Sequence, residues 1–383
     1  MGRFVLRSLD LLFQVCLGHL RTPHARLAWR LGGFVTNHHE YCGLMHLSEF
    51  DFPFDPALVA SQPVIPRDRA RLLVLDRATQ QLTHRHVAEL PALLEPGDLL
   101  VVNDTKVMAA RVSGVKKPAG TSVEVLFVKD LGRGRWEIMV KGSFRVGQVI
   151  EFDQQSRATI VKRDVTGTEV LVDSPVPMTQ LFQARGVMPL PPYMKRAATQ
   201  EDHYWYQTVF AKHEGAIAAP TAGLHFTEDL FRRLREAMIN MATVTLHVGP
   251  GTFKPVTTER IEDHQMGVEG FTISNETVKA IQETKRAGGR IVAVGTTVVR
   301  TLETVAKEKG EVVPMSGESR LFITPGFQFK IVDALITNFH LPRTTLLMLV
   351  SAFAGTDRIR SAYEEAVKEG YRFYSYGDAM LIL

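Results

Sequence analysis

The chain has 383 residues, of which 45% are hydrophobic and 22% are charged, a composition typical of a globular protein with room for two domains. Its net charge of +4 is too small to indicate nucleic-acid binding by itself. The two cysteines, Cys16 and Cys42, both lie near the start of the chain. A disulfide framework, a thiolate zinc site and a cysteine nucleophile are therefore excluded for the rest of the chain, which fits a cytoplasmic protein.

Residues 1–44 differ from the remainder in charge and pattern. They carry five arginines against Asp10 and Glu40, so the rest of the chain is almost neutral. We interpret them as a start-site over-extension, with translation beginning at Met45. The alternative is a targeting peptide, because Arg3 and Arg7 precede a short apolar run. Polar residues interrupt that run, and no small-residue cleavage site follows it.

Residues 45–108 open with a proline-rich loop and then show the first predicted elements of a folded domain. We predict a strand at 71–75, a short helix at 87–94 and a buried strand at 99–102 that ends at Asn103. The most apolar run of the chain, residues 346–354, spans nine residues. A bilayer needs about 20, so we predict no membrane span and a buried strand or short helix instead.

Between residues 111 and 175 the apolar residues alternate with period two. Turns with glycine or charged residues separate five such segments, which are 121–128, 135–140, 149–152, 158–162 and 169–172. Several short alternating strands at this spacing predict a small antiparallel β-barrel inserted in a larger α/β domain. The predicted organisation is the extension 1–44, the large α/β domain 45–108 and 178–383, and the inserted barrel 109–177.

After residue 178, strand patterns alternate with helical patterns at 228–238, 275–287, 298–308 and 357–369, as expected for α/β architecture. Four predicted strands in this half end in His, Thr, Arg or Asn. They lie at 216–219, 244–248, 291–294 and 333–338. Polar side chains that follow strand ends in an α/β protein usually line its ligand site, so these four ends predict one shared site.

Many short motifs along the chain occur together and in order. One is the segment 215–227, which contains PTAGLHFT; the others lie at 97–105, 110–111, 189–193, 206–210, 245–253, 261–264, 295–303, 325–327, 337–355 and 374–380. With these motifs the chain resembles the S-adenosylmethionine:tRNA ribosyltransferase-isomerase family of queuosine biosynthesis, over about the last 340 residues. The resemblance implies a distorted α/β barrel-like large domain with a small inserted antiparallel β-barrel.

The resemblance also implies the reaction. S-adenosylmethionine would act as a co-substrate and donate its ribosyl unit to 7-aminomethyl-7-deazaguanine at the wobble position of tRNA. The ribose would rearrange to an epoxycyclopentane ring, giving epoxyqueuosine, while adenine and methionine leave. We expect no tightly bound cofactor, a cytoplasmic location and a monomer.

This chemistry requires a base, an acid for departing adenine, and donors that hold carboxylate and hydroxyl groups. Histidine suits proton transfer because its pKa lies near neutrality. The catalytic candidates in the family motifs are His225, His247, His264, His340 and Asp263, which could orient the imidazole of His264. The substrate-binding candidates are Asn103, Arg111, Thr221, Gly223, Gly249, Gly251, Thr252, Thr296, Thr297, Arg300 and Asn338.

Each candidate also has a structural interpretation. A histidine in a strand-end loop often only bonds backbone, and Arg300 could simply pair with Glu303 one helical turn on. No His-x-x-x-His or Glu-x-x-His pair occurs in the motifs, so we predict no metal. Gly249-Pro250-Gly251 is a weak match to a methyltransferase loop.

Support for tRNA binding is limited to basic residues on the predicted barrel and after it. They are Lys116, Lys117, Lys129, Arg133, Arg135, Lys141, Lys195 and Arg196. Such residues could hold backbone phosphates. The non-enzymatic alternative is an RNA-binding protein whose large domain has lost activity, and the presence of every motif segment argues against it.

Overall fold

The computed structural model describes residues 45–249, 251 and 256–383, all of which belong to one compact unit, Cys42–Leu383. The proposed extension 1–44 and the candidate Thr252 lie outside the described residues. The strands are β1 Arg71–Leu75, β2 Leu82–His86, β3 Leu99–Asn103, β4 Thr105–Val107, β5 Arg111–Lys117, β6 Thr121–Gly132, β7 Arg135–Val140, β8 Val149–Glu151, β9 Arg157–Asp164, β10 Gly167–Asp173, β11 Gly186–Val187, β12 His213–Ala216, β13 Asn240–Leu246, β14 Glu269–Ile273, β15 Ile291–Val294, β16 Met315–Ser319, β17 Ala334–Asn338 and β18 Ala379–Ile382. The α-helices are α1 Leu90–Leu93, α2 Met178–Arg185, α3 Asp202–Trp205, α4 Glu228–Glu236, α5 Asn275–Arg286, α6 Thr296–Lys309, α7 Thr345–Ala354 and α8 Thr356–Lys368.

The helix starts follow the local sequence. Thr227, Ser274 and Thr344 cap α4, α5 and α7, and each side-chain oxygen accepts a hydrogen bond from the backbone N–H three residues later. Helix α6 begins differently, at Gly295, whose φ of 95° favours glycine. This sharp turn lets β15 pass directly into α6, so Thr296 and Thr297 lie at the end of the strand.

The large domain is built on a mixed sheet with the strand order β16-β14-β13-β3-β15-β17-β18-β1-β2. Its centre is parallel, since β3 pairs in parallel with both β13 and β15, and β15 pairs in parallel with β17. The carboxyl ends of β3, β13, β15 and β17 therefore meet at one edge of the sheet. Three of the four predicted strand ends, at 244–248, 291–294 and 333–338, lie in this sheet, whereas 216–219 does not.

Both faces of the large sheet are covered, and β3 illustrates why. Leu99 and Val101 pack into one apolar cluster with residues of α5, α6, α7 and α8, while Leu100 and Val102 pack into a second cluster with residues of α1 and α4. Successive side chains of a strand point to opposite faces, so a strand buried on both sides is continuously apolar.

The smaller sheet closes on itself. Strands β5, β6, β7, β10, β9 and β8 pair in that order, and β8 returns to pair with β5, which gives a six-stranded antiparallel barrel. Phe127 and Trp136 fill its core with edge-to-face contact at 5.7 Å. Leu181 and Phe182 of α2 also belong to this core, so its packing extends past residue 177, where the sequence placed the end of the insertion.

The expected fold class is confirmed: an α/β large domain carries an inserted small antiparallel barrel. The large domain's strands form the nine-stranded series given above, with β16 and β2 at its two edges within the described residues. The apolar run 346–354, for which strand and helix were both open, belongs to α7.

The predicted strand at 216–219 is wrong. The strand there is β12, which ends at Ala216, because its partner β4 offers only three residues for pairing. Residues 217 and 218 form a buried bend, and Ala219 is buried in irregular structure.

Glu303 is a residue of α6 that holds this helix to the loop before β17, and it is 1% exposed. Its carboxylate accepts backbone N–H bonds from Lys330, Ile331 and Val332 at 2.9, 3.0 and 3.1 Å. Three charged hydrogen bonds to one buried group tie the loop before β17 to the helix that carries Arg300.

We expect Glu303→Gln to lower the free energy of unfolding by about 2 kcal/mol, because a neutral amide oxygen replaces a charged acceptor and its NH2 group faces backbone donors. Glu308→Gln, at an exposed position of the same helix, is the matched control. Urea unfolding of both variants measures the effect. Equal midpoints for the two variants would contradict this account of the loop.

Candidate active site

A cleft of about 1290 Å³ separates the barrel from the carboxyl-terminal edge of the large sheet. We call it the barrel–sheet cleft. One wall comes from the β6–β7 hairpin and the start of α2, and the other from β12, the segment after β13, β14 and α6. Five predicted site residues line it: His247, Gly249, Gly251, His264 and Arg300.

His247 is half-buried, directly after β13. Its Nδ1 lies 2.8 Å from the hydroxyl of Thr105, and no other described residue bonds its Nε2. Burial lowers the pKa of His247, and nearby His213 lowers it further, while Asp104 opposes the shift. The imidazole is therefore neutral at pH 7 and has one ring nitrogen available to a ligand.

His264 is the second half-buried imidazole of the cleft. Burial lowers its pKa, and its ring packs edge-on against Phe322 at 5.4 Å between centroids. Asp263 does not orient this ring. Its carboxylate is exposed, does not line the cleft, and lies 3.9 Å from Arg260.

Arg300 lines the floor of the cleft and is 3% exposed. Its Nη1 donates to the carboxylate of Glu269, and its Nε donates to the carbonyl of Leu321 at 3.2 Å. The pairing with Glu303 suggested by helical spacing does not occur. Among the residues that the structure describes, none is a hydrogen-bond partner of Nη2, so this buried guanidinium retains one donor group.

A second, much smaller cavity of about 30 Å³ lies at the ends of β15 and β17. Predicted site residues line it: Thr221, Thr296, Thr297, Asn338 and His340. Val248 lines both this cavity and the barrel–sheet cleft. The small cavity has about the volume of one water molecule, so it is too small for a nucleoside in this conformation.

Two of the four candidate histidines are fully buried. His225 Nε2 lies 3.1 Å from the Asn338 amide nitrogen, and His340 Nε2 lies 2.9 Å from the Thr337 hydroxyl. Burial lowers the pKa of His225 to about 4 and that of His340 to about 3. Both rings are therefore neutral at pH 7, and neither lines the larger cleft.

Three further candidates lie outside both cavities. The Asn103 amide is 1% exposed and bonds only to the protein. Gly223 is packed so closely that an added Cβ would lie 2.7 Å from the Phe210 ring. Arg111 donates to the Leu190 carbonyl at 3.0 Å. The structure therefore divides the predicted residues between the cleft, the small cavity and the surrounding scaffold.

Sequence reasoning missed Glu269, Thr105 and Gly215 as parts of the site. Glu269 is 5% exposed, pairs with Arg300 and accepts from the Gly249 N–H at 3.1 Å. The sequence feature that could have identified Glu269 was its place as an acidic residue at the start of an apolar strand. Thr105 and Gly215 stood in recognised motifs, but their contact with His247 depends on the pairing of β4 with β12.

Most of the basic residues considered for tRNA contact are engaged within the protein. Lys117 pairs with Glu151 at 2.8 Å, Lys129 with Glu318 at 3.1 Å, and Arg135 with Glu169 at 2.7 Å. The same holds for two others, Lys116, which donates to the Ser143 carbonyl, and Arg196, which pairs with buried Asp202. Arg133 lines the barrel–sheet cleft, and Arg320 lines it from the large domain.

Neither a metal centre nor a membrane helix is found in the part of the chain that the structure describes. Residues 45–249, 251 and 256–383 contain no group of three or more His, Cys, Asp or Glu placed to hold a metal ion. Over the same residues no helix is long and apolar enough to cross a membrane. The lack of a metal remains a prediction.

Known proteins match almost all of the described chain. The family model described as queuosine biosynthesis protein matches residues 47–382. An S-adenosylmethionine:tRNA ribosyltransferase-isomerase from Thermotoga maritima is 50% identical over 343 residues, and one from Halothermothrix orenii is 47% identical; each alignment covers 88% of this chain and 100% of the relative. A crystal structure of S-adenosylmethionine tRNA ribosyltransferase from Thermotoga maritima matches with a TM-score of 0.51 and 39% identity, over 88% of this chain and 100% of that one.

The fold, an α/β domain with an inserted barrel, is shared with a solved transferase, and the curated relatives are named as transferase-isomerases, so the class of this protein is that of an enzyme. The chain belongs to the queuosine biosynthesis protein family, among relatives named S-adenosylmethionine:tRNA ribosyltransferase-isomerase.

The buried histidines predict an acid-sensitive fold. Their pKa values are about 4 and about 3 in the folded protein, against about 6.5 unfolded, so only the unfolded chain gains protons as the pH falls below about 6.5. We expect the free energy of unfolding to decrease from pH 6.5 towards pH 4. His340→Gln should reduce that slope by up to about 1.4 kcal/mol per pH unit.

Urea unfolding at several pH values measures the slope for each variant. His203→Gln, at an exposed position, is the matched control. Equal slopes for His340→Gln and His203→Gln would contradict the prediction.

Proposed function

We propose that this protein transfers the ribosyl unit of S-adenosylmethionine to the aminomethyl group of 7-aminomethyl-7-deazaguanine at the wobble position of tRNA. In the same reaction the ribose is isomerised to an epoxycyclopentane ring. Adenine and methionine leave, and epoxyqueuosine-tRNA is the product. Family membership supports the class of reaction, and the names of the relatives supply tRNA and S-adenosylmethionine as substrates.

The observation that carries this proposal is the composition of the barrel–sheet cleft. It holds two half-buried imidazoles and a buried guanidinium in one space of about 1290 Å³. Sites for drug-sized ligands are typically about 300–1,000 Å³. The cleft is therefore large enough for a sulfonium nucleoside and a flipped-out base together, which a two-substrate transfer requires.

We assign proton transfer to the two histidines of the cleft. His247 is neutral at pH 7 and keeps Nε2 available, so it is our choice for the base that takes a proton from beside the sulfonium or from the amine. His264 is the second proton-transfer group, suited to the departing adenine once protonated. His225 and His340 are fully buried, and we assign them to the scaffold.

We assign substrate binding to Arg300 and to the glycines of the same cleft. The Nη2 donor of Arg300, which has no partner within 45–249, 251 and 256–383, suits the methionine carboxylate or a ribose hydroxyl. Gly249 and Gly251 have no side chains, so a ligand can approach the backbone at their part of the cleft wall. The threonines and Asn338 of the small cavity would reach a ligand only if Val248 moved.

The tRNA would approach across the barrel side of the cleft. Arg133 and Arg320 line opposite walls and make no ion pair with another described residue. Both are thus available to phosphates, whereas Lys117 and Arg135 are already paired. Contact through so few cations is consistent with the small net charge of the chain.

The full chain incubated with S-adenosylmethionine and tRNA carrying 7-aminomethyl-7-deazaguanine should release adenine and methionine together with a modified nucleoside. Chromatography with mass detection quantifies all three. Release only with that tRNA supports the proposal. S-adenosylhomocysteine as the product would make the protein a methyltransferase instead. The same assay on residues 45–383 tests whether the first 44 residues contribute.

His247→Gln should lower kcat/KM by about 10²–10⁴-fold, the usual contribution of a positioned acid or base. The loss should fall mainly on kcat, because the group acts in the transition state. His203→Gln, at an exposed position outside the cleft, should stay within about twofold of the parent chain. Full activity of His247→Gln would remove His247 from the mechanism.

A further inference from the structure

The short strands β4 and β12 form a two-stranded parallel pair, and both strands contact the ring of His247. Thr105 begins β4 and places its hydroxyl oxygen 2.8 Å from His247 Nδ1. Gly215 in β12 packs against the ring, since an added Cβ there would lie 2.7 Å from Nδ1 and Cε1. The pair therefore touches the ring at one face and at one of its two nitrogens.

The close approach of Gly215 depends on an irregularity in β12. The register of β12 on β4 shifts between Glu214 and Ala216, so Gly215 is left without a partner residue on β4. Its φ of 150° is a conformation that residues with a side chain rarely adopt. Bulges of this kind often lie beside active sites, where they direct a side chain.

The Thr105 hydroxyl has one proton and two neighbours that could receive it. Besides Nδ1 at 2.8 Å, its oxygen lies 3.5 Å from the backbone carbonyl of His213, which can only accept and stands at the outer limit of a hydrogen bond. When the hydroxyl donates to that carbonyl, it can only accept from Nδ1, which then carries the ring proton. The lone pair is left on Nε2, the nitrogen that no other described residue bonds.

We propose that Thr105 is a positioning residue that holds His247 in the Nδ1–H tautomer, so that Nε2 faces the reaction as a base. The proposal rests on the proposed function for the identity of the reaction. In the step itself, the Nε2 lone pair forms a new N–H bond with the substrate's proton, and the electrons of the broken bond stay on the substrate. Nδ1–H remains bonded to Thr105 throughout.

Two titratable neighbours act on the protonation of the His247 ring in opposite directions. Asp104, next to Thr105, is 4% exposed and accepts from the Thr245 hydroxyl at 2.6 Å. Its negative charge favours the imidazolium that forms during the step, and the neighbouring His213 opposes it. The other charged groups in the cleft near this wall are engaged in pairs, Glu214 with Lys106 and Glu269 with Arg300.

The first test reads the tautomer directly. Long-range ¹H–¹⁵N spectra of the full chain, with His247 assigned by its loss in His247→Gln, distinguish a protonated Nδ1 from a protonated Nε2. We expect Nδ1–H in the parent chain and a shift towards Nε2–H in Thr105→Val, which keeps the shape and removes the acceptor. A parent chain with Nε2–H, or a tautomer unchanged in Thr105→Val, overturns the proposal.

The second test is kinetic. Thr105→Val should lower kcat/KM by about 10- to 100-fold, mostly through kcat, since a base with the wrong tautomer loses much of its contribution. The acidic limb of the pH profile should move to lower pH, because the imidazolium loses a hydrogen bond. Thr105→Ser keeps the hydroxyl and should recover activity to within about threefold.

Thr277→Val is the matched control, because Thr277 is also buried and its hydroxyl donates to the Thr243 carbonyl at 2.6 Å, away from the cleft. A similar loss of activity in Thr277→Val would attribute the effect of Thr105→Val to stability and overturn the kinetic arm. An Nδ1–H tautomer in a chain that releases no adenine would retain the positioning role and reject the proposed reaction, so the two failures are distinguishable.

Discussion

The amide of Asn103 is the interaction on which the site depends. It lies at the end of the central strand β3, and its Oδ1 accepts from the backbone N–H groups of Thr105 and Leu246 at 3.2 and 3.0 Å. Its Nδ2 donates to the Leu246 carbonyl and to the Thr297 hydroxyl at 3.0 and 3.3 Å. One buried side chain thus fixes the residue before His247, the residue that bonds the His247 ring, and the first turn of α6. A group with all its hydrogen bonds made inside the protein imposes a single geometry on its neighbours.

The four candidate histidines differ in burial, and this difference distinguishes their proposed roles more clearly than their motifs do. His225 and His340 are so deeply buried that their rings stay neutral over the whole physiological range, and their partners are side chains of the scaffold. His247 and His264 are half-buried, so their pKa values are lowered while each ring still borders a space that a ligand can occupy. A general base requires both conditions at once: a ring that is neutral before the step and a path to the substrate.

The sequence was sufficient for the elements whose patterns are local. The strand β15 and the alternating strands of the barrel were predicted close to their observed bounds, because period and turn residues define them. The candidate residues of the cleft came from a family resemblance, not from periodicity. What could not be predicted depends on pairing between distant segments. Glu269 reaches Arg300 only through the position of β14, and Gly215 reaches His247 only through the bulge in β12.

The barrel is inserted in the large domain at a point of the chain that connects the two walls of the cleft. Its strands begin just after β4, so the segment that positions His247 leads directly into the opposite wall of the cleft. Across that cleft, Lys129 of the barrel pairs with Glu318 of the large sheet at 3.1 Å, and each side chain is 56% exposed. An exposed pair of this kind contributes at most about 1 kcal/mol. A polyanion that competes for Lys129 can therefore break this contact across the cleft at little cost.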